Sequence, residues 1–336
     1  MLKRKFLIIR IGAIGDVIMT TPILKSIKNE YPHSHLTYVV GEWASEVLKH
    51  NPHIDELIVV AENIFLQKEK RQLFSLIRRL RKSRFDYGFA LDKSWLFNLL
   101  LFLCNIRHRF GFSREHHLLN NILLTKQVLF FGKKKEYEYY SDILNISLGL
   151  KYDYNDIILY PNKKERDAVD NYMKRYKQKS KLVGIAPGGA VNPGQKALQK
   201  RWPKPYYKKL IDYLIKKGKK ILIVGGKDDI SSSILFETKH VLNSTGRLNL
   251  REVFYLLKKY CDTFVTHDSG PMHLAAAAKV KKLITLFGPT PAERFAPPNA
   301  IVIESPHPPS YTIFGGFARE EGGMEKISVE EVLKHI

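Results

Sequence analysis

KFLIIRIGAIGDV, residues 5–17, is the stretch that decides how this chain folds. Five apolar residues follow Lys5, with only Arg10 interrupting the run before Ile11. Such continuous apolar character marks a strand covered on both faces, as in a parallel sheet. Gly12 and Gly15 then let the backbone turn tightly and approach a ligand closely, and a helical pattern continues through Tyr31. The basic start and apolar run imitate a secretion leader. Arg10 and Asp16 break that pattern and no A-x-A site lies between, so the segment reads as a buried first strand.

Working outward, HLTYVV (35–40), ELIVV (56–60) and YGFALD (87–92) read as further strands, separated by helical WASEVLKHN (43–51) and a basic helix over 66–83. Residues 107–160 show short strands and one or two helices without a clear period. The polar helix NKKERDAVDNYMKRYKQKSK (162–181) is taken as a junction, and a second alternating series follows it. Strands are expected at 181–187, 220–226, 263–268 and 282–289, and helices at 204–218, 250–259, 269–278 and 327–336. Strand–helix alternation predicts an α/β fold of two Rossmann-like domains. Their expected limits are 1–165 and 166–322, with a terminal helix at 323–336 that packs back on the first domain. Ligands of such sheets sit beyond the carboxyl ends of the strands, which is where the motifs fall.

With 336 residues the chain suits two domains, and 44% hydrophobic residues suffice for packed cores. The balance of 55 basic against 33 acidic side chains leaves +22. That surplus points to anionic partners, namely nucleic acid, a membrane surface or phosphorylated metabolites, unless it only reflects lysines on solvated helix faces. The basic residues are scattered through every segment rather than gathered in a stripe, which counts against nucleic acid. Cys104 and Cys261 lie in apolar runs, which excludes a disulfide scaffold and suits a reducing cytoplasm. The run WLFNLLLFLCNI (95–106) has 12 residues, too few for a bilayer span of ~20. It is a core helix or a membrane-touching one, and we read it as core.

Four motifs carry chemistry. In R-I-G-A-I-G-D-V (10–17) the carboxylate of Asp16 is either a helix cap or a general base, roles that compete for its oxygens. In T-H-D-S-G-P-M-H-L-A-A-A-A (266–278) a strand ends at Asp268, Ser269 can cap, Gly270 permits close approach and Pro271 fits a first helical turn. The helix tip so formed is suited to a diphosphate. On spacing alone His273 is either a packing histidine or a ligand contact. P-G-G (187–189) with K-R-W-P (200–203) places Lys200 and Arg201 after a glycine loop, where they hold phosphate oxygens or line a solvated basic loop. V-G-G-K-D-D (224–229) resembles an edge at which a carboxylate accepts from ribose hydroxyls.

In this order the motifs resemble the ADP-heptose:lipopolysaccharide heptosyltransferases of glycosyltransferase family 9. The resemblance runs through IRIGAIGDVIMTTPIL, PGG, KRWP, IVGGKDD, THDSGPMHLAAA and LFGPTPAERFAP, nearly the whole chain. It implies the GT-B architecture, two parallel-sheet domains facing across a cleft, with acceptor on the first and nucleotide sugar on the second. It implies inverting transfer of heptose from ADP-heptose to a lipopolysaccharide inner-core acceptor, with no tightly bound cofactor and no divalent metal needed for binding. Asp16 matches the family's proposed base, with Gly12 and Gly15 on the acceptor side. Lys200 matches the lysine that meets donor phosphates, beside Arg201, Gly188 and Gly189. Asp268, Ser269, Gly270, Pro271, Met272 and His273 match the donor loop, and either Asp228 or Asp229 faces the ribose. Many relatives carry cysteines before the terminal helix; SPHPPSYTIFGGFAREEGGMEKI (305–327) has none. In R-H-R-F-G-F, Arg107 and Arg109, with Arg114 beyond, are candidates for acceptor phosphates. The expected setting is a monomer, peripheral on the cytoplasmic face of the inner membrane, binding no nucleic acid. The competing readings are a relative using another nucleotide sugar for a different surface glycan, a nucleotide-sugar epimerase, and a basic nucleic-acid-binding protein.

Overall fold

A computed structural model describes residues 3–67, 69–114, 118–174, 181–233, 236, 238–312, 316–318 and 323–336. It divides into two compact units, Met1–Tyr160 and Pro161–Ile336. The end of the expected junction helix and parts of 305–326 lie outside the described residues.

In the first unit six strands alternate with helices. They are β1 (Lys5–Ile9), α1 (Ile14–Glu30), β2 (His35–Gly41), α2 (Glu42–Ser45), β3 (Glu56–Val60), α3 (Asn63–Leu66), α4 (Lys70–Ser83), β4 (Tyr87–Ala90), α5 (Trp95–Leu103), β5 (His108–Ser113), α6 (Leu118–Leu123), β6 (Lys126–Leu129) and α7 (Glu136–Leu148). All neighbours pair in parallel, in the order β3-β2-β1-β4-β5-β6. Alternation along each strand sends Leu7, Ile9 and Val39 into one core with Leu76 and Leu80 of α4 and Phe97, Leu100 and Leu101 of α5. On the opposite face Tyr38 of β2 meets Thr20 of α1 through their hydroxyls at 2.7 Å. The helix expected at 43–51 shrinks to one turn. Val47 and Leu48 donate to Ala44 and Ser45, a tighter bonding pattern than the α-helix, and His50 then takes a positive φ of 62°.

The second unit contains α8 (Lys163–Lys174), β7 (Leu182–Ala186), a two-residue hairpin of β8 (Val191–Asn192) and β9 (Gln195–Lys196), α9 (Lys204–Lys216), β10 (Ile221–Ile223), α10 (Ile230–Ser233), β11 (Val241–Asn243), α11 (Leu250–Tyr260), β12 (Cys261–His267), α12 (Gly270–Ala277), β13 (Lys282–Phe287), α13 (Ala292–Phe295), β14 (Ile301–Glu304) and α14 (Val329–Leu333). Its parallel sheet runs β11-β10-β7-β12-β13-β14, the same topology as the first.

Two expectations change here. The terminal helix packs within its own unit: Met324, Ile327, Val329 and Val332 join Trp202, Tyr207 and Leu210 in one core. Trp202 is fully buried, so its indole N–H needs a partner, and it donates to the Ile327 carbonyl at 2.9 Å. The boundary also falls five residues earlier than 165, because α8 is bound to α11. Glu165 and Arg251 are both buried, and the Arg251 Nε donates to the two carboxylate oxygens at 3.1 and 3.2 Å. Burial alone would raise the Glu165 pKa, but the hydrogen bonds and charge of Arg251 more than offset this and hold it below its ordinary value of 4.5.

Removing one partner of a buried pair strands a charge, at a cost of about 3–5 kcal/mol. Arg251→Ala is therefore expected to lower the stability of the second unit by that order in urea unfolding, and Arg251→Leu with Glu165→Met to recover most of it. A loss under about 1 kcal/mol would place the pair among ordinary surface contacts. Since the folded state binds the Glu165 proton less tightly than the unfolded state, this contribution is present above pH 4.5 and fades as pH falls through the folded value.

Candidate active site

Each sheet reverses its strand order once, between β1 and β4 in the first unit and between β7 and β12 in the second. Crevices open beyond the carboxyl ends of such strand pairs. In the first unit Asp16 stands in the opening turn of α1, just past the end of β1. Its carboxylate accepts from the Ala13 N–H at 3.3 Å and from the guanidinium of Arg10. The first contact is long for a cap, so the charged contact dominates and the side chain is held chiefly by Arg10. Arg10 is 7% exposed at its side chain; its other terminal nitrogen lies 3.1 Å from the Asp92 carboxylate and 3.1 Å from the Leu91 carbonyl, both just past β4. One buried cation thus ties together the loops of the two strands that flank the reversal. Burial alone would lower its pKa; the carboxylates of Asp16 and Asp92 overcome that and raise it above the ordinary guanidinium value. Asp16 keeps 24% of its side chain exposed. Beside Gly12 a Cβ would meet nothing within 4 Å, so this rim of the turn is open. Gly15 is buried in the first turn of the helix.

Next to this trio Lys93 pairs with Glu136, the first residue of α7, and its ammonium lies 4.2 Å from the centre of the Phe130 ring. Burial lowers the Lys93 pKa, against the opposing charges of Glu136 and Asp16. Arg10, Asp92, Lys93 and Glu136 were not singled out from sequence. The signal available was the D-K pair directly after the fourth strand, level with the G-D of the first.

The three arginines proposed for the acceptor part company. Arg107 and Arg109 stand at the amino end of β5, roughly 20 Å and 13 Å of strand from its carboxyl end, whereas Asp16 lies at the carboxyl edge of the same parallel sheet. Arg109 is occupied by main-chain oxygens, donating to Leu123 at 2.6 Å, Ile106 at 2.6 Å and Ile122 at 3.3 Å. Its work is to hold the turn around α6. Arg114 follows the carboxyl end of β5, on the Asp16 edge.

In the second unit the glycine loop after β7 is built around Asp229. This buried carboxylate accepts from the Gly189 N–H at 3.0 Å, from the Gly226 N–H at 3.0 Å and from Arg201 at 3.2 Å. Arg201 also donates to the Gly189 carbonyl at 2.9 and 2.7 Å. Asp229 is thereby committed to clamping two loops, and exposed Asp228 is the carboxylate of the pair that faces solvent. Gly188 is glycine for this reason: a Cβ there would lie 2.2 Å from the Asp229 carboxylate.

Lys200 lies 2.7 Å from Asp268, which follows β12. Three rings surround its ammonium, with centres at 5.9 Å for Phe295, 5.6 Å for Tyr311 and 5.9 Å for Phe317. Burial would raise the Asp268 pKa, yet Lys200, followed by His273 and Thr290, holds it below the usual carboxylate range. Ser269 occupies the cap position of α12, but its hydroxyl donates backwards to the His267 carbonyl at 3.1 Å, so no side chain caps the helix tip at Gly270 and Pro271. Gly189 adjoins this tip, since a Cβ on it would come within 3.3 Å of the Ser269 Cβ. The structure thus gathers Gly188, Gly189, Lys200, Arg201, Asp268, Ser269, Gly270, Pro271 and buried His273 around one strand-order reversal. The Met272 side chain differs in being fully buried against Phe287, Ala292 and Ala296. Gly188→Ala is expected to displace Asp229 and lower stability by about 1–3 kcal/mol, seen as a fall in Tm; an unchanged Tm would show that the two loops do not depend on the clamp.

Comparison with known proteins adds a family to this geometry. Residues 73–313 match the family model described as glycosyltransferase family 9 (heptosyltransferase). Lipooligosaccharide heptosyltransferase 2 of Haemophilus ducreyi is 26% identical over 328 residues, covering 89% of this chain and 88% of that protein. The crystal structure of a family 9 glycosyl transferase from Veillonella parvula superposes with a TM-score of 0.82 at 26% identity, covering 100% of this chain and 97% of the other. The Escherichia coli heptosyltransferase WaaC with ADP superposes with a TM-score of 0.71 at 18% identity, covering 98% and 96%, a likeness of fold. The two doubly wound units are those of the GT-B class.

Proposed function

The chain belongs to glycosyltransferase family 9, and on that premise we propose that it transfers heptose from ADP-heptose to an anionic inner-core acceptor of lipopolysaccharide, with Asp16 as general base. The observation that carries this reading is the Arg10–Asp16–Asp92 cluster, a partly exposed carboxylate held at the carboxyl edge of the first sheet. The acceptor hydroxyl gives its proton to Asp16 as its oxygen attacks the anomeric carbon. The bond from that carbon to the ADP oxygen breaks, the electron pair leaves with ADP, and the configuration inverts. When Asp16 gains the proton its attraction to Arg10 weakens, and Asp92 at 3.1 Å remains to neutralise the guanidinium.

In the same reading the growing negative charge on the diphosphate falls to Lys200 and the uncapped tip of α12, groups that bind the departing charge better than the ground state. Asp268 and the aromatic box keep the Lys200 ammonium in place before donor arrives. Asp228 accepts from the ribose hydroxyls, and Arg114 meets acceptor phosphate. The relatives' names support heptose and lipopolysaccharide-type acceptors, and the ADP-bound neighbour supports the nucleotide. We assign the chain a peripheral place on the cytoplasmic face of the inner membrane, as a monomer. Among the described residues no helix is long and apolar enough to cross a membrane.

The test is turnover with ADP-heptose against UDP- and GDP-sugars on inner-core acceptors. Asp16→Asn is expected to lower kcat by about 10²–10⁴ with donor Kd nearly unchanged; normal turnover would remove Asp16 from the mechanism. Lys200→Ala is expected to weaken donor binding and slow transfer, and Asp228→Ala to raise the donor KM alone. Unchanged donor kinetics in both variants would move the nucleotide site elsewhere.

A further inference from the structure

α4 and α5 present an outer surface that transfer chemistry leaves unexplained. α4, KRQLFSLIRRLRKS, carries six basic residues and no acidic one in 14 positions. Leu76 and Leu80 are buried and form its inner stripe, with Leu73 and Ile77 packed beside them. The outward face places Phe74 between Arg71 and Arg78, three residues before and four after, where helical side chains are neighbours. Phe74 is 68% exposed, the largest value among the large hydrophobic side chains described. α5 is apolar on both sides. Phe97, Leu100 and Leu101 point into the core, while Trp95, Phe102 and Leu103 are exposed at 56%, 41% and 40%. Trp95, Phe102 and Leu103 recur at the i, i+7, i+8 positions of one helical face. Both helices cover the same side of the sheet, sharing the core of Leu7 and Ile9, so their outer faces lie side by side.

A helix face left to water is ordinarily polar. An exposed phenylalanine among arginines, next to the apolar stripe of Trp95, Phe102 and Leu103, matches one environment: an anionic lipid surface. There the cations meet headgroups, and the aromatic and aliphatic side chains enter the acyl boundary. Nucleic acid offers the charge but no apolar slab for Leu103 and Phe102. α5 has nine residues, too few to span a bilayer, so the contact lies flat on one leaflet. We infer that the outer faces of α4 and α5 dock the first unit on an anionic membrane leaflet, presenting the chain to a lipid-anchored acceptor. This deepens the proposed function and rests on its glycolipid acceptor.

The test is sedimentation of the full chain with phosphatidylcholine vesicles, with and without phosphatidylglycerol. Binding is expected to need the anionic lipid and to weaken in high salt. Trp95→Ser with Phe102→Ser, and separately Arg71→Glu with Arg78→Glu, are expected to weaken it about tenfold or more. Circular dichroism and Tm confirm folding, and turnover on a water-soluble acceptor lacking acyl chains is expected to stay unchanged. Vesicle binding equal to wild type in both variants would overturn the inference. So would retention on DNA in place of vesicles, or a concentration-dependent dimer that dissolves in the Trp95 variant. A chain that binds vesicles but transfers to no glycolipid would instead sink the acceptor reading and leave the surface standing.

Discussion

A guanidinium withdrawn from water has to be neutralised where it lies, and Arg10 meets that constraint with carboxylates from two different loops. Removing an ion from solvent costs several kcal/mol even after relaxation. Two carboxylates and a carbonyl offset this only if β1 and β4 are neighbours, so that Asp16 and Asp92 arrive at one point. The strand order is thus written into the chemistry: the ion trio exists because the sheet reverses between these strands, and it fixes the loops that the reversal leaves open. A carboxylate so held has little freedom to rotate away. Arg10 in turn has a second acid, Asp92, at 3.1 Å.

The second unit solves the same problem with the signs exchanged. Its buried ions are Asp229 and Asp268, and the cations that neutralise them, Arg201 and Lys200, come from the segment between β7 and α9. Asp229 gathers two loop amides as well, so the glycine turns at 188–189 and 225–226 are parts of one clamp. Lys200 is held differently, by one carboxylate and three edge-to-face rings from 295–317. Tyr311 meets both Phe295 and Phe317 edge-on, so the three rings order one another around the ammonium. Topology is therefore shared between the units while the charge stored at the reversal is not.

Much of this was legible in the sequence because strands buried on both faces leave long apolar runs. β1, β2 and β4 were placed within a few residues for that reason, and β3, though an edge strand with Val59 exposed, from its run of apolar residues. β11 and β14 were not, since an edge strand of three or four residues has too few positions to set a period. The carboxylate of Asp16 was legible from its loop, but Arg10 looked like an interruption of a strand. Its meaning depends on Asp92, 82 positions away, a separation that local pattern cannot bridge. Adjacent acids at 228 and 229 are indistinguishable in sequence, and only burial assigns one to the scaffold. Arg107 and Arg109 fall at the amino end of β5, a placement their spacing could not show, since spacing does not reveal which end of a strand a residue occupies. The terminal helix was misplaced because the deciding contact, the Trp202 indole, comes from a motif read for its charge.

The surplus of +22 admitted a bland reading as solvated lysines, and the ion pairs refine it. Many acids outside the two sites are taken up locally, as in Lys25–Asp156, Lys28–Asp55, Lys134–Asp142, Lys208–Asp212 and Lys259–Asp170. Exposed pairs of this kind contribute about 0–1 kcal/mol each, so they do little for stability. Their electrostatic effect is to cancel acids one for one and leave the remaining cations uncompensated. Those cations are not spread uniformly: α4 concentrates six without a single acid. A field built this way attracts anions generally, in a salt-dependent manner. The buried ions at the strand reversals differ from these surface cations in being largely withdrawn from solvent, where salt screens them far less.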